Sequence, residues 1–466
     1  KGYVVSDSEA VEFISNKHKV ADTYEDGIAR AVNAGLNIRT HFTPPADFIL
    51  PLRKAVDNGK ISQETLDKRV AEILRIKFRL GLFDNPYRGN GKQAEQIVHS
   101  KEHQAVSLEA ARQSLVLLKN ETNLLPLSKS IRSIAVIGPN ANEQTQLICR
   151  YGPANAPIKT VYQGIKELLP HTEVIYKKGC DIIDPHFPES EILDFPKTAE
   201  EVQLMEEAIR AAKQAEVVLE GNELTVREDR SRTSLNLPGR QEELLKAVCA
   251  TGKPIILVML DGRASSINYA AAHIPAILHA WFPGEFCGQA VAEALFGDYN
   301  PGGRLAVTFP KSVGQIPFAF PFKPGSDESS STSVYGALYP FGHGLSYTTF
   351  TYSDLHISPS HQGVQGDIHV SCKIKNTGKI KGDEVVQLYL RDEISSVTTY
   401  TKVLRGFERI SLKAGEEQTV HFRLRPQDLG LWDKNMNFRV ELGSFKVMLG
   451  ASSTDIRLHG QFEITP

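Results

Sequence analysis

The sequence predicts a multidomain α/β protein that ends in an all-β domain. Apolar runs typical of buried strands alternate with amphipathic helical stretches through residues 1–310. Beyond residue 350 the apolar residues recur at every second position instead. The length of 466 residues also exceeds the size of about 250–300 residues at which a single hydrophobic core stops growing.

The bulk composition is that of an ordinary globular protein. Apolar residues make up 41% of the chain, charged residues 23%, and the net charge is −2. Nucleic acids and anionic membranes attract a strong basic excess, so neither is an expected partner. No apolar run reaches the length of about 18 residues that a membrane-spanning helix needs.

The cysteines do not indicate a metal site. The five are Cys149, Cys180, Cys249, Cys287 and Cys372. No CxxC or Cys/His ligand spacing occurs, so we expect buried small side chains and no zinc. A Cys149–Cys180 disulfide stays open. Gly138-Pro139-Asn140, which follows the apolar run Ile134–Ile137, lacks a GxGxxG or Walker pattern, so no nucleotide cofactor is expected.

Residues 1–115 predict a fragment of a β/α barrel with trailing helices. The predicted elements are the strands Gly2–Val5 and Gly35–Ile38, the helix Tyr24–Val32, and a helix between a Ser62 cap and Gly81. This βαβα order indicates a parallel sheet. A whole barrel needs about 250 residues, so the segment has room for only the last two units.

Residues 116–310 predict a doubly wound α/β sandwich. The predicted strands are Ile134–Ile137, Glu173–Tyr176, Val217–Leu219, Pro254–Leu260 and Ala276–Ala280. The predicted helices are Gln163–Leu169, Glu200–Ala212, Arg240–Ala250 and Gln289–Phe296. Continuous apolar runs of this kind are typical of parallel strands that helices cover on both faces.

Residues 311–349 predict a linker across the surface, and residues 350–466 an antiparallel β-sandwich. The linker is rich in Pro, Gly and Ser. In the last segment Ile368, Val370, Cys372 and Ile374 alternate with polar residues, and Val420–Leu424 repeats the pattern.

Asp7 is the first candidate for chemistry. It closes a predicted barrel strand, and catalytic groups sit at the C-terminal ends of such strands. A carboxylate there can attack a sugar carbon and form a covalent intermediate. The alternative interpretation is a helix N-cap, a common role for Asp.

A second candidate region is the charged loop 221–238, after the strand Val217–Leu219. Its carboxylates are Glu223, Glu228 and Asp229, and Arg227, Arg230 and Arg232 lie among them. Ligands bind at this edge of open α/β sheets, so a proton donor is one interpretation and a solvated loop the other.

His343, in the predicted linker, is a third candidate and is either a lone base or a turn histidine.

Several motifs resemble those of glycoside hydrolase family 3 in its multidomain β-glucosidase/β-xylosidase form. They are Tyr3–Asp7 for the nucleophile strand, Ser114–Leu127 for entry into the second domain, Trp281–Gly284 and Leu295–Leu305 for the close of that domain, and Tyr339–Tyr347 for the linker into a fibronectin-type-III-like domain. The resemblance covers essentially the whole chain.

The resemblance implies a retaining, exo-acting β-glucosidase that releases terminal β-D-glucose by double displacement. Asp7 would be the nucleophile. In that family the acid/base glutamate lies a few residues before an Arg that precedes a Leu-Pro pair. Arg232 and Leu237-Pro238 take those places here, so Glu228 would be the acid/base and Glu223 the alternative. Ser8 and Arg227 would contact substrate. No cofactor or metal is implied.

Two alternatives stay open. Ser8 stands where many family β-glucosidases have Trp, as in xylosidase-like relatives, so β-xylosidase is one. Asn37 and Arg39 also replace an acidic pattern that is usual in the family. A non-catalytic carbohydrate-binding or structural fragment is the other alternative, because the sugar-gripping residues of the barrel lie upstream of Asp7.

The resemblance also implies partners. They are a β-linked oligosaccharide or glucoside substrate and a barrel segment, present as a missing stretch or a partner chain. We expect this chain alone not to hydrolyse aryl β-glucosides, and its half-barrel to expose an apolar face that a partner covers. A periplasmic or secreted location is expected, and homo-oligomerisation stays open.

Overall fold

The computed structural model describes residues 2–87, 89–144, 152, 156–222, 232–326 and 334–466. The chain divides into two compact units, residues 1–100 and 101–466. Within the described residues, no helix combines the length and the apolar character needed to cross a membrane.

The first unit packs helices around a short parallel sheet. Its strands are β1 (Val4–Val5) and β2 (Leu36–Ile38), and its helices are α1 (Ala10–Asn16), α2 (Tyr24–Ala34), α3 (Ala46–Asp57), α4 (Gln63–Arg79) and α5 (Gly91–Ile97). Side chains of α1, α2 and α3 form its core. The predicted cap is confirmed, because the Ser62 hydroxyl accepts from Thr65 N at 3.1 Å. Gly81 follows α4 with a φ of 65°, as a C-terminal stop requires.

The second unit opens with an α/β sandwich. Its strands are β3 (Val116–Asn120), β4 (Ser133–Ile137), β5 (Glu173–Lys177), β6 (Val217–Asn222), β7 (Ile255–Met259) and β8 (Ala276–His279). Its helices are α6 (Lys101–Ser114), α7 (Val161–Leu168), α8 (Ala199–Gln214), α9 (Gln241–Cys249), α10 (Asn268–His273) and α11 (Cys287–Leu295). Short 3₁₀ turns lie at Glu121–Asn123, Glu189–Glu191, Gly284–Phe286 and Val313–Gln315.

The strand order is β3-β8-β7-β6-β4-β5. The five strands that we predicted pair in parallel, which confirms that part of the prediction. β3 was not predicted, and it joins the edge antiparallel to β8. Alternate strand residues face two cores: Val136 and Val258 point to α7 and α11, whereas Ile137 and Leu257 point to α8 and α9.

Two glycines let α7 and α11 approach each other closely. A Cβ built on Gly164 would lie 2.1 Å from Gly288 O, and one built on Gly288 would lie 2.0 Å from Thr160 O. Backbone atoms cannot move aside as a flexible side chain can, so the two helices are in contact only because both positions lack a side chain.

The linker packs against the sandwich more than predicted. Phe309 forms a bridge with Tyr339, whose ring is buried, and Leu117 of β3 forms another with Leu345. The segment therefore extends the sheet edge and does not only cross the surface. The predicted domain boundaries at residues 115, 310 and 349 stay predictions.

The last segment is the predicted β-sandwich. Its main strands are β9 (Phe350–Ser358), β10 (His361–Gly363), β11 (Ile368–Asn376), β12 (Gly382–Asp392), β13 (Val403–Leu412), β14 (Glu417–Leu424), β17 (Gly443–Gly450) and β18 (Ile456–Thr465). One sheet has the order β10-β18-β17-β12-β13 and the other β14-β11-β9. A short helix α12 (Pro426–Leu429) precedes a small hairpin of β15 (Leu431–Trp432) and β16 (Phe438–Arg439). Ile368, Val370, Cys372 and Ile374 are all buried, as their alternation predicted.

Gly164→Ala should destabilise the sandwich by about 1–3 kcal/mol, because the new methyl group would overlap the backbone of α11. Gly27→Ala in α2 is the matched control, since its Cβ would meet no atom closer than 3.5 Å. That change should be neutral or stabilise by about 0.5–1 kcal/mol. Thermal unfolding checks both, and equal Tm values for the Gly164→Ala chain and the parent would refute the contact.

Candidate functional site

Asp7 lies two residues beyond β1 and is exposed. Its Oδ1 accepts from Ser8 N at 2.7 Å. The preceding Ser6 is tied to the end of β2, because Ser6 N donates to Ile38 O at 2.9 Å and the Ser6 hydroxyl accepts from Thr40 N at 2.9 Å. Asp7 is therefore held at the C-terminal end of a parallel strand, with its carboxylate open to solvent.

Asp7 is not a helix N-cap, so that alternative is wrong. The N-cap residue of α1 is Glu9, which has a φ of 60° and makes no side-chain capping bond. A left-handed conformation at a residue other than glycine stores backbone strain, and such strain is concentrated at functional sites. It lies here within two residues of the candidate nucleophile.

Arg39 follows β2 and belongs to a polar network that sequence reasoning missed. Its guanidinium bonds Glu12 Oε1 through Nε at 2.8 Å and Nη2 at 2.5 Å, and Tyr24 OH donates to the same oxygen at 2.7 Å. Burial would raise the pKa of Glu12, but these hydrogen bonds outweigh it and hold the pKa below its ordinary value. The network is ionised and joins β2 to α1 and α2.

Asn37 links the two strands of the same unit. Its side-chain Oδ1, on β2, accepts from the backbone Val4 N, on β1, at 2.8 Å.

The other candidate residues lie after β6. Glu223, Arg227 and Glu228 fall in residues 223–231, outside the described part of the chain. The strand before them pairs in parallel with β4 and β7, so the segment leaves from the carboxyl edge of the sandwich sheet. This is the edge at which open α/β sheets bind ligands.

Arg232, just after that segment, forms a deeply buried ion pair with Glu191. Glu191 Oε2 also accepts from Thr233 N at 2.7 Å and from the Thr233 hydroxyl at 2.8 Å. Arg232 Nη2 donates to Asn236 O at 2.6 Å. The downstream end of the charged loop is therefore anchored to the short turn Glu189–Glu191 by a carboxylate whose bonds are well satisfied.

A buried Asp–His pair lies at the same edge and was also missed. Asp261 follows β7, and its Oδ1 is 2.7 Å from Nε2 of His279, the last residue of β8. Ser265 donates to the other oxygen at 2.9 Å. The sequence predicts both segments as buried parallel strands, and the only local signal of the pair is a polar residue at or just after the end of each strand. Being fully buried, the pair fixes the strand ends and does not face solvent.

The next loop begins at Trp281, which packs its ring against His279 at 4.1 Å between centroids. Trp281 has a φ of 58°, a second left-handed residue near a candidate loop. The Asp261–His279 pair therefore supports a strained aromatic residue in the loop after β8.

His343 is a turn histidine. Its Nε2 lies 2.9 Å from Leu118 O and its ring stacks on Tyr339. Burial lowers its pKa. Cys180, Cys287 and Cys372 are buried, whereas Cys249 is half-buried; Cys149 lies outside the described residues, so its pairing stays untested. Across the ranges described above, no three His, Cys, Asp or Glu side chains are grouped to hold a metal.

Two segments of the chain match the profiles of known protein families. The profile of the glycosyl hydrolase family 3 C-terminal domain matches residues 115–347, which spans the sandwich and most of the linker. The chain belongs to glycosyl hydrolase family 3. A fibronectin type III-like profile matches residues 384–453, within the C-terminal β-sandwich of this family 3 chain.

Whole-chain relatives agree with that assignment. A periplasmic beta-glucosidase of Salmonella typhimurium is 36% identical over 100% of this chain, and a beta-xylosidase of Formosa agariphila is 37% identical over 97% of it. This family 3 chain spans 63% of the length of each relative.

Solved structures show the same architecture. A β-glucosidase from Erythrobacter marinus has a TM-score of 0.91 at 33% identity. The match covers 100% of this chain and 63% of the Erythrobacter chain. A β-glucosidase from Listeria innocua in complex with glucose has a TM-score of 0.87 at 29% identity, with the same two coverages.

Glu191→Gln should lower the free energy of unfolding by about 3 kcal/mol at pH 7, because it removes the carboxylate from a buried ion pair. Burial would raise the pKa of Glu191, but the hydrogen bonds from Thr233 and the charge of Arg232 outweigh it and hold the pKa below its ordinary value. A depressed carboxyl pKa contributes stability above the unfolded pKa, and that contribution disappears as the pH falls through the folded pKa.

The difference in Tm between the parent and Glu191→Gln should therefore shrink below about pH 4.5. Glu206→Gln, which removes an exposed partner of Arg210, is the control and should leave Tm nearly unchanged. A Tm difference for Glu191→Gln that stays constant from pH 7 to pH 3 would contradict the ionised pair.

Proposed function

We propose that the enzyme to which this chain belongs is a retaining, exo-acting β-glycosidase that releases terminal β-D-glucose. The observation that supports this most strongly is the alignment of the whole chain with a relative named beta-glucosidase at 36% identity. Asp7 is the proposed nucleophile and Glu228 the proposed acid/base, with Glu223 as the alternative to Glu228.

The setting of Asp7 suits nucleophilic attack. The hydrogen bond from Ser8 N orients Oδ1, and the exposed carboxylate is accessible to a sugar carbon. Attack at the anomeric carbon forms a glycosyl-enzyme ester and expels the leaving oxygen. Water then breaks that ester, and the second inversion restores the β configuration.

Glu228 would protonate the leaving oxygen in the first step and deprotonate the water in the second. A retaining pair works at a carboxyl separation of about 5–5.5 Å. The acid must hold a proton near neutral pH, and burial against the substrate favours that form, whereas Arg227 and Arg230 oppose it. We propose that Arg227 contacts substrate hydroxyls instead.

β1 and β2 are proposed to belong to a β/α barrel. The two strands are parallel, and Asp7 lies where barrel strands place catalytic groups. Both side chains of β1 are exposed, Val4 by 56% and Val5 by 48%. Exposure on both faces suggests that further strands and helices of a barrel, from another segment or a partner chain, cover this sheet.

β-Xylosidase activity is the second candidate. A relative named beta-xylosidase is 37% identical over nearly the whole chain. Ser8 directly follows the proposed nucleophile, at the position where xylosidase-like relatives also have a small residue. The ratio of kcat/KM for 4-nitrophenyl β-D-glucoside and β-D-xyloside decides between the two sugars.

We also propose a periplasmic or secreted location, which the name of the Salmonella relative supports.

Asp7→Asn in the enzyme expressed from its complete gene should lower kcat for 4-nitrophenyl β-D-glucoside by on the order of 10⁴-fold, because the amide cannot form the ester. Asp22→Asn, at another exposed carboxylate of the same unit, should keep parental turnover. Parental activity in Asp7→Asn would remove the proposed nucleophile and favour a non-catalytic, carbohydrate-binding role for this chain.

Glu228→Gln should lower kcat/KM about 10²–10⁴-fold for methyl β-D-glucoside, whose leaving group needs a proton. It should have a much smaller effect on 2,4-dinitrophenyl β-D-glucoside, whose leaving group does not. Glu223→Gln is the matched comparison on the same loop. If Glu223→Gln gives this leaving-group dependence and Glu228→Gln does not, Glu223 is the acid/base.

A further inference from the structure

The fibronectin-like domain contains a cleft that the proposed chemistry does not use. Two cavities of about 420 and 350 Å³ lie beside the loop 393–402, which connects β12 to β13. Asp392 at the end of β12 and Tyr400 in the loop line both of them. Volumes of this size fall in the range of small-molecule sites, about 300–1,000 Å³.

Two aromatic side chains are displayed in this cleft. Trp432 is 58% exposed and Tyr400 is 43% exposed. Trp432 pairs with Phe438 across the β15–β16 hairpin, and the two rings meet edge to face at 5.5 Å. The hairpin turn is held by Asp433, whose Oδ1 accepts from Asn435 N at 2.8 Å and Asn437 N at 3.0 Å. The Trp432 ring is thus presented by a well-bonded hairpin.

Polar groups near the rings have unused hydrogen-bonding capacity. Asp392 Oδ2 is shielded from solvent and has no hydrogen-bond partner among the described residues. Arg405 is exposed in the smaller cavity, and no ion pair to it occurs within the described ranges. Thr398 and Thr399 also line both cavities, and the Thr399 hydroxyl lies 3.3 Å from that of Ser395. A buried polar atom without a partner, as Asp392 Oδ2 is, indicates that a ligand or water completes it.

The charge of the cleft indicates a neutral ligand. Its described lining includes three cations and three anions: Lys323, Arg391, Arg405, Asp392, Glu393 and Asp428. Burial raises the pKa of Asp392 to about 6, and the nearby Glu441 and Glu393 add to the shift. Near pH 6 this carboxyl therefore both donates and accepts hydrogen bonds, as a sugar hydroxyl requires.

We propose that this cleft is a saccharide-binding site, separate from the catalytic residues, that holds a neutral β-linked oligosaccharide. The flat C–H faces of β-linked sugar rings stack on aromatic rings such as Trp432 and Tyr400. Asp392, Arg405 and the threonines bind the hydroxyl groups at the ring edge. The site goes beyond the proposed function, since binding here requires no hydrolysis. On a polysaccharide it raises the local concentration of chain ends.

Intrinsic fluorescence tests the site directly, because the sequence has only two tryptophans, Trp281 and Trp432. Cellohexaose and xylohexaose are titrated into the chain carrying Asp7→Asn, which prevents turnover. Stacking on Trp432 should give a saturable change in emission with at least one of the two sugars. Trp432→Phe should abolish that change, and Tyr400→Ala should weaken the affinity about tenfold.

Phe407→Ala is the control, because Phe407 is 65% exposed on the same domain and lines neither cavity. It should bind with parental affinity. In the enzyme expressed from its complete gene, Trp432→Phe without Asp7→Asn should turn over 4-nitrophenyl β-D-glucoside at the parental rate, which separates this site from the catalytic proposal. No saturable response to either hexaose, or a full response in Trp432→Phe, would overturn the site.

Discussion

The parallel pairing of β4, β6, β7 and β8 is the constraint on which the rest of the described structure depends. The carboxyl ends of parallel strands lie at the same edge of a sheet, so the chain leaves β6, β7 and β8 from one edge. That edge carries the buried Asp261–His279 pair and the strained Trp281, and β6 ends there. Helix contact through Gly164 and Gly288 closes one face of the sheet and keeps it dry.

Each of the two units holds some of the candidate residues in place by its own contacts. Asp7 is positioned by backbone bonds from β1 to β2, and the Arg39–Glu12–Tyr24 network fixes the helices beside it. The charged loop is instead anchored at its downstream end, where Glu191 neutralises Arg232. A mechanism with two carboxylates at a set separation needs such anchors, because small displacements of either group cost rate.

Sequence patterns predicted the elements that depend on local periodicity. The five parallel strands are continuous apolar runs, and the Ser62 cap and Gly81 stop are short-range signals. β3 was missed because its apolar run directly follows α6, so nothing local separates strand from helix. The fold alone brings Asp261 to His279, since 18 residues separate them in the sequence. The fold likewise places Trp432 and Tyr400 along one cavity, although they lie on a hairpin strand and in a distant loop. The roles proposed for Asp7 and Glu228 rest on ordered family motifs, which periodicity does not supply.

Trapping of the glycosyl-enzyme tests the central claim most directly. The enzyme expressed from its complete gene is incubated with 2,4-dinitrophenyl 2-deoxy-2-fluoro-β-D-glucoside. Its fluorine slows both displacement steps, whereas the dinitrophenolate leaving group speeds only the first, so the ester accumulates. Mass spectrometry of the digested protein should find one fluoroglucosyl group on the peptide that contains Asp7. A fluoroglucosyl group on any other carboxylate, or turnover without a trapped intermediate, would contradict Asp7 as the nucleophile.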